Sequence, residues 1–116
     1  MATERAISKA DLESIERNYT IPDPDEVREL LARWPHVVAA LVDAPTHIRE
    51  AFGGRLRGLV LEKVPDYDEG EDLLSTTALV KATAHEAFEL QACLNDWWLT
   101  QSVEVRLAMA LGVAPI

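Results

Sequence analysis

Residues 55–64 read RLRGLVLEKV, and within this run the pattern of the chain changes from helical to extended. The run is rich in leucine and valine and is bounded by Gly53-Gly54 and by Pro65, which is typical of a buried β-strand. We therefore predict a strand over 55–64. Because side chains alternate along an extended backbone, one predicted face carries Leu56, Val60 and Val64, and the other carries Leu59 and Leu61.

The sequence after this run predicts a second strand, a helix and a third strand. The second strand covers residues 73–80. Thr83 and Glu86 have the spacing of a capping box, so a helix begins there and runs through Trp98. Apolar residues then alternate with polar or small ones over 103–111, and this period of two indicates a half-buried strand.

Prolines and capping residues divide the N-terminal half into helices. After a short first helix, Asp23 suits the N-cap and Pro24 the first position of a second helix, which ends before Pro35 because proline disfavours helical geometry in the preceding residue. A third helix follows, and Pro45 opens a short fourth helix that ends at Gly53-Gly54. The predicted fold is α+β, with N-terminal helices followed by a β-β-α-β unit and a small, mainly antiparallel sheet.

Length and charge limit the classes of function. The chain has 116 residues, of which 48% are hydrophobic, enough for one domain with its own core, so residues 1–116 are predicted to form one domain with 1–7 flexible. Asp and Glu number 20 against 11 Lys and Arg, which gives a net charge of −9. This charge argues against direct binding to nucleic acid or anionic membranes and favours a basic protein partner. The alternative is that the acidity only maintains solubility.

The single cysteine and the N-terminal sequence predict a cytoplasmic protein. Cys93 is the only cysteine, so no intrachain disulfide forms and a reducing compartment fits best. Charged residues occur early in the chain, and no apolar export signal is recognisable. The longest nearly apolar stretch, residues 37–42, is far shorter than the roughly 20 residues that a membrane-spanning helix needs.

An acidic segment, residues 62–72, runs from the end of the first predicted strand to the start of the second. It contains Lys63 as its only basic residue and six acidic ones, Glu62, Asp66, Asp68, Glu69, Glu71 and Asp72. Clustered carboxylates suit hard cations, but Gly70 and Thr77 do not match the glycine and glutamate positions of an EF-hand loop counted from Asp66. We predict a docking site for a basic partner, with a solvated hairpin tip as the alternative, and no metal site.

Two adjacent tryptophans complete the predicted interaction surface. Trp97 and Trp98 point about 100° apart on a helix, so both cannot occupy the centre of one buried stripe. An exposed tryptophan is a common anchor of protein interfaces, whereas packing at the core edge is the structural alternative. The predicted partner-binding residues are Asp66, Asp68, Glu69, Glu71, Asp72, Trp97 and Trp98.

One helical arrangement resembles enzyme chemistry. His85, Glu89 and Cys93 recur at i, i+4 and i+8 and share one side of a helix. His85 and Cys93 are nevertheless about 12 Å apart along the axis, too far for a base to activate a thiol, and a zinc site needs further ligands. A small metal-dependent enzyme is therefore the alternative function, and no catalytic residue, metal site or cofactor is predicted.

Several short motifs resemble a group of small uncharacterised bacterial proteins from toxin–antitoxin-like gene pairs. The matching motifs are Trp34-Pro35-His36, Ile48-Arg49-Glu50 with Phe52-Gly53, the acidic turn, the helix start at Thr83 and Trp97-Trp98-Leu99. Ser75-Thr76-Thr77 departs from that group, where the second strand is more apolar. The resemblance implies a bacterial, antitoxin-like or accessory role. The main hypothesis is a non-enzymatic protein-interaction module, and self-association as a homodimer is a further alternative.

Overall fold

Helices cover one face of a three-stranded sheet in a computed structural model that describes residues 8–65 and 72–116. The elements are α1 (Lys9–Asn18), α2 (Pro24–Arg33), α3 (Val38–Phe52), β1 (Leu56–Pro65), β2 (Asp72–Val80), α4 (Ala84–Trp98), α5 (Val103–Ala108) and β3 (Met109–Pro115), with 3₁₀ turns at Pro35–Val37 and Gly53–Arg55. The predicted α+β class is confirmed. The segment predicted to be flexible, residues 1–7, lies outside the described residues. No helix in the described ranges is long and apolar enough to cross a membrane.

The predicted helix starts are confirmed by their capping hydrogen bonds. The Asp23 side chain accepts a hydrogen bond from the backbone N–H of Glu26 at 3.1 Å. At the start of α4 the Thr83 hydroxyl accepts from the Glu86 N–H at 3.1 Å, and the Glu86 carboxylate accepts from the Thr83 N–H at 2.9 Å. Both groups of the capping box are therefore satisfied.

The prediction of two short helices on either side of Pro45 is wrong, because α3 is one continuous helix with Pro45 inside it. A proline at this position cannot donate the backbone hydrogen bond that the C=O of Leu41, four residues earlier, would normally accept. The Tyr19 hydroxyl donates to that carbonyl instead, at 2.7 Å, in a buried site. A side chain from α1's C-terminal end therefore replaces the missing bond, and the helix continues.

The sheet has the order β1-β2-β3 and is mixed, so the prediction of a mainly antiparallel sheet is wrong. β1 and β2 pair antiparallel, with Leu61 opposite Thr76, whereas β2 and β3 pair parallel, with Leu74 opposite Met109. The 15 residues of α4 span about 22 Å and return the chain to the end of the sheet where β2 began. The strand that follows such a crossover runs parallel to β2.

The third strand begins six residues later than predicted, at Met109, because residues 103–108 form α5. The Ser102 hydroxyl accepts a hydrogen bond from the Val105 N–H at 3.3 Å and caps this helix. Val105 and Ala108, three positions apart, are both buried. The helix therefore buries a different set of residues from the strand pattern, because Val103 and Leu107, which share the face of Val105 in a strand, are exposed.

The two faces of the sheet have different environments. Leu59 and Leu61 face the helices and are buried, whereas Val60 and Val64 lie on the opposite face and are half-buried, as the alternation predicts. Leu56 was assigned to the face of Val60, but it packs against the core. The cause is a shift in register between Leu56 and Gly58, which inserts an extra residue and reverses the alternation before it.

The outer edge of β1 is covered by the residue that follows α1's C-terminal cap. The N–H of Thr20 donates to the C=O of Leu59 at 2.7 Å, and the N–H of Leu61 donates to the C=O of Thr20 at 2.9 Å. One residue thus makes a short parallel bridge to the strand. Tyr19 and Thr20 are adjacent in the chain. Tyr19 bonds to the interior of α3, and Thr20 bonds to the edge of the sheet.

We expect Tyr19→Phe to destabilise the fold by about 1–3 kcal/mol, because it leaves the buried Leu41 carbonyl without a hydrogen bond. Burial raises the pKa of Tyr19 above its ordinary value, so the hydroxyl keeps its proton at neutral pH. In a Pro45→Ala background the alanine N–H can donate to the same carbonyl, and Tyr19→Phe should cost less there. Urea denaturation of the four proteins in this double-mutant cycle measures the difference. If Tyr19→Phe destabilises the wild type and the Pro45→Ala protein equally, the tyrosine hydroxyl does not replace the hydrogen bond that Pro45 cannot make.

We expect the charge of Glu86 to stabilise the fold in a pH-dependent way. The hydrogen bond from the Thr83 N–H holds the pKa of Glu86 below its ordinary value of 4.5, and the Arg55 guanidinium, 3.4 Å away, acts in the same direction. A depressed pKa gives stability that is present above the unfolded-state pKa and is lost as the pH falls through the folded-state pKa. Glu86→Gln keeps the capping box but removes the charge. Its urea midpoint should be lower than that of the wild type at pH 7, and the two midpoints should converge near pH 3; a constant difference would refute this.

Candidate functional site

One residue of the predicted acidic surface, Asp72, lies within the described part of the chain, at the start of β2. Its carboxylate is 3.7 Å from the Nζ atom of Lys63, and that same nitrogen is 2.6 Å from the carboxylate of Glu26 on α2. The hydrogen bond with Glu26 raises the pKa of Lys63 above its ordinary value, and the charge of Asp72 adds to this effect. Lys63 therefore partly neutralises Asp72 and ties the sheet to α2. The other predicted residues of the surface, Asp66, Asp68, Glu69 and Glu71, lie outside the described residues.

Both predicted tryptophans are half-buried and pack against the core. The ring of Trp97 stacks on the exposed side chain of His47 from α3, with centroids 5.0 Å apart and an interplanar angle of 27°. Trp98 lies beside it at 6.3 Å. The imidazole of His47 therefore contacts an aromatic ring of α4. The tryptophans join α3 to α4 and leave part of their surface accessible.

The topology brings Asp72 and the tryptophan pair to the same end of the sheet. α4 starts near Val80, at the far end of β2, and its roughly 22 Å length returns its C-terminal residues toward Asp72. The pairing of Leu74 with Met109, immediately after α5, confirms that the chain has come back to this end. The predicted surface residues that are described therefore share one end of the molecule.

A cleft of about 240 Å³ opens between the turn after α2 and the short helix α5. We call it the α5 cleft, and it is lined by Trp34, His36, Glu104, Leu107 and Ala108. Leu107 is 72% exposed although it is a large apolar residue. The guanidinium of Arg33 lies 5.9 Å from the centre of the Trp34 ring, a distance at which a cation is attracted to the aromatic face.

The α5 cleft was missed in the sequence because residues 103–111 were assigned to a strand. Alternation places Glu104 and Leu107 on opposite faces of a strand, whereas in a helix residues three positions apart lie on the same side. Ser102 as an N-cap, with Val105 and Ala108 as the buried pair, is the local signal that indicates the helix. The approach of Trp34 and His36 from about seventy positions earlier has no local signal.

The side chains proposed for metal or thiol chemistry are not brought together as a site. The Nε2 atom of His85 is 2.8 Å from Glu89 Oε1, in a pair that is largely exposed to solvent. Cys93 is also exposed. Across residues 8–65 and 72–116, no group of three or more histidine, cysteine, aspartate or glutamate side chains has the arrangement of a metal site.

A second cleft, of about 220 Å³, lies between α1 and the start of α2. Glu16 and Arg28 form an ion pair across its lining at 2.9 Å, and the Tyr19 hydroxyl is already bonded to the C=O of Leu41. Its polar groups are therefore engaged within the protein. This leaves the α5 cleft, with its exposed leucine and its glutamate, as the better candidate.

Comparisons with protein-family models, with curated proteins and with solved structures give no match to this chain.

We expect Lys63→Met to lower the urea midpoint, because Glu26 and Asp72 would lose their shared cation and repel each other. Lys81→Met is the matched control, since Lys81 is exposed and lies at the opposite end of β2. Salt screens exposed charges, so the effect of Lys63→Met should be smaller in 1 M NaCl. Because the pKa of Lys63 is raised, its contribution is present at pH 7 and should disappear only in strongly alkaline solution. Identical midpoints for the two variants at low salt would show that the ion pairs do not contribute.

Proposed function

We propose that this chain is a non-enzymatic protein-interaction module that binds a basic protein through the end of the molecule bearing the α5 cleft. The observation that carries the proposal is the position of the exposed large hydrophobic residues. Five such residues occur in the described chain, and three of them follow one another from the end of α4 to α5: Leu99, Val103 and Leu107. Exposed apolar side chains gathered on one part of a surface are typical of binding sites.

The chemistry of the α5 cleft favours a partner with an apolar anchor flanked by basic residues. Leu107, Ala108 and the ring of Trp34 provide apolar walls, which suit a buried side chain of the hot-spot type. Glu104 lines the same cleft and offers a carboxylate to a lysine or arginine of the partner. The net charge of −9 would draw such a partner toward the surface and speed the encounter.

The rest of the proposed surface comes from the sequence. Asp66, Asp68, Glu69 and Glu71 shortly precede Asp72 in the chain and would add negative charge to the proposed surface. The resemblance to toxin–antitoxin-like gene pairs supports an antitoxin-like or accessory member of a bacterial two-gene system, acting in the cytoplasm. No arrangement among the described residues favours the metal-dependent alternative with His85, Glu89 and Cys93.

The proposal predicts that a basic protein copurifies with the tagged chain in stoichiometric amount from the cells that produce it. Leu107→Asp should weaken binding at least about 30-fold, as for a hot-spot residue worth about 2 kcal/mol. Glu104→Gln should weaken it mainly at low salt, where charge pairing contributes most. Isothermal titration with the identified partner measures both effects.

Ile116→Asp is the matched control for this experiment. Ile116 is 67% exposed, similar to Leu107, but its backbone N–H is bonded to Val80 at the opposite end of the sheet. The control should bind like the wild type, and circular dichroism should show all variants folded. Failure to recover any stoichiometric partner, or equal binding by Leu107→Asp and the control, would refute the proposed site.

A further inference from the structure

The outer edge of β3 has no partner strand among the described residues, since the sheet ends there. The N–H of Ile116 donates to Val80 of β2, so the even-numbered residues of β3 turn their backbone groups inward. The odd-numbered residues turn theirs outward, and the side chain of Gln91 on α4 bonds to two of these groups. An outward row of backbone donors and acceptors is a template for another strand.

The Gln91 amide occupies the place that a residue of a neighbouring strand would take. Its Oε1 atom accepts from the N–H of Val113 at 2.9 Å, and its Nε2 atom donates to the C=O of Leu111 at 3.4 Å. A Cβ atom built on Gly112 would be 3.9 Å from the same Oε1, so the amide lies beside the middle residue of the strand. A side-chain amide has the donor and acceptor of a peptide group, and this pair of bonds is the pair that an added strand makes.

The surface next to this edge is free of charge in a strongly acidic chain. β3 reads MALGVAP and contains no charged residue. On α4, Phe88 is 74% exposed, and Asn95 lies between it and Gln91 within about 60° of arc on the helix surface. None of these three side chains carries a charge, so an uncharged stripe of α4, with Phe88 as its exposed apolar residue, adjoins the edge of β3.

From these observations we infer that β3 is a self-association edge, at which the β3 strand of a second copy of this chain pairs antiparallel across a twofold axis at Gly112. The Gln91 amide is displaced, and a continuous six-stranded sheet forms. The uncharged stripes of the two α4 helices face each other beside the paired strands. A closed twofold dimer uses one self-complementary surface, and this surface satisfies that condition.

The register follows from the sequence of the strand. With the axis at Gly112, the outward-facing Leu111 of one copy lies opposite Val113 of the other, and each pair exchanges two backbone hydrogen bonds. The two Gly112 residues form the close, non-hydrogen-bonded pair at the axis, where the absence of side chains removes any clash. Pro115 has no N–H to donate, so its pair with Met109 at the end of the ladder keeps one hydrogen bond, from the Met109 N–H to the Pro115 carbonyl.

Charge selects a second copy over a basic partner at this edge. Two molecules that each carry −9 repel unless their contact excludes charged groups, and β3 with the α4 stripe is such a contact. A basic partner would gain nothing from an uncharged surface. The inference does not depend on the proposed function, because the residues involved are different from those that line the α5 cleft.

Sedimentation velocity tests the inference directly. The monomer mass is 12.9 kDa, and the wild type should change from monomer to a species of about twice that mass between about 1 and 300 μM, the behaviour of a small interface. Phe88→Glu places a charge in the stripe, and Val113→Pro removes an outward N–H without touching the ladder to β2. Both should remain monomeric at 300 μM. Ala51→Glu, which adds the same charge at an exposed position of α3, should dimerise like the wild type.

Two further variants test the edge itself. Gln91→Ala should dimerise at least as tightly as the wild type, because the second strand no longer competes with the amide. Gly112→Cys in a Cys93→Ser background should form a disulfide-linked dimer under mild oxidation, since the paired positions at the axis are close enough. Gly54→Cys, at a glycine where an added Cβ atom would meet no other atom within 4 Å, is the control that should not. If Val113→Pro does not fold, Phe88→Glu and the comparison of Gly112→Cys with Gly54→Cys still test the inference.

A wild type that stays monomeric at 300 μM would overturn the inference. So would a dimer that Phe88→Glu leaves intact, a Gln91→Ala variant that is monomeric, or equal crosslinking through positions 54 and 112.

Discussion

The hydrogen bond from the Tyr19 hydroxyl to the Leu41 carbonyl is the interaction on which the helical layer depends. It supplies the bond that Pro45 cannot make, so α3 runs unbroken from Val38 to Phe52. The next residue, Thr20, bonds to the edge of β1. Two consecutive residues therefore fix α3 relative to the sheet. Because α3 also carries His47, which stacks on Trp97, the position of α4 depends on the same junction.

Local signals predicted the helix starts, whereas the unbroken course of α3 depends on a long-range contact. The capping residues Asp23 and Thr83 act within a few positions, and the helices begin where those residues place them. The break expected at Pro45 follows from local chemistry, but it is prevented by a hydroxyl 22 positions earlier in the chain than the carbonyl it bonds. The direction of β3 was predictable in principle, since a helix as long as α4 must return the chain and make the next strand parallel.

The candidate site was less predictable than the fold, for the same reason. Trp97 and Trp98 were identified from their spacing, and the structure leaves both half-buried. The α5 cleft joins Trp34 and His36 to Glu104 and Leu107, and no periodicity connects segments so far apart. The environment of Thr76 is likewise not predictable from its neighbours in the sequence. It is fully buried on the helix side of β2, and its hydroxyl has no hydrogen-bond partner among the described residues, a cost that its sequence context does not reveal.

The distribution of charge separates the surfaces of this molecule by the partners that each can accept. Two copies of an acidic chain repel each other as they approach, and that repulsion is smallest where the contact has no charged residue, as at β3 and the outer stripe of α4. The opposite condition holds where carboxylates adjoin an apolar cleft, because a basic partner gains both attraction and burial there. Net charge alone would predict that copies of this chain repel each other and stay monomeric. The arrangement of the uncharged residues lets the proposed self-association and the proposed binding of a basic partner use different surfaces, so that neither excludes the other by competition for the same residues.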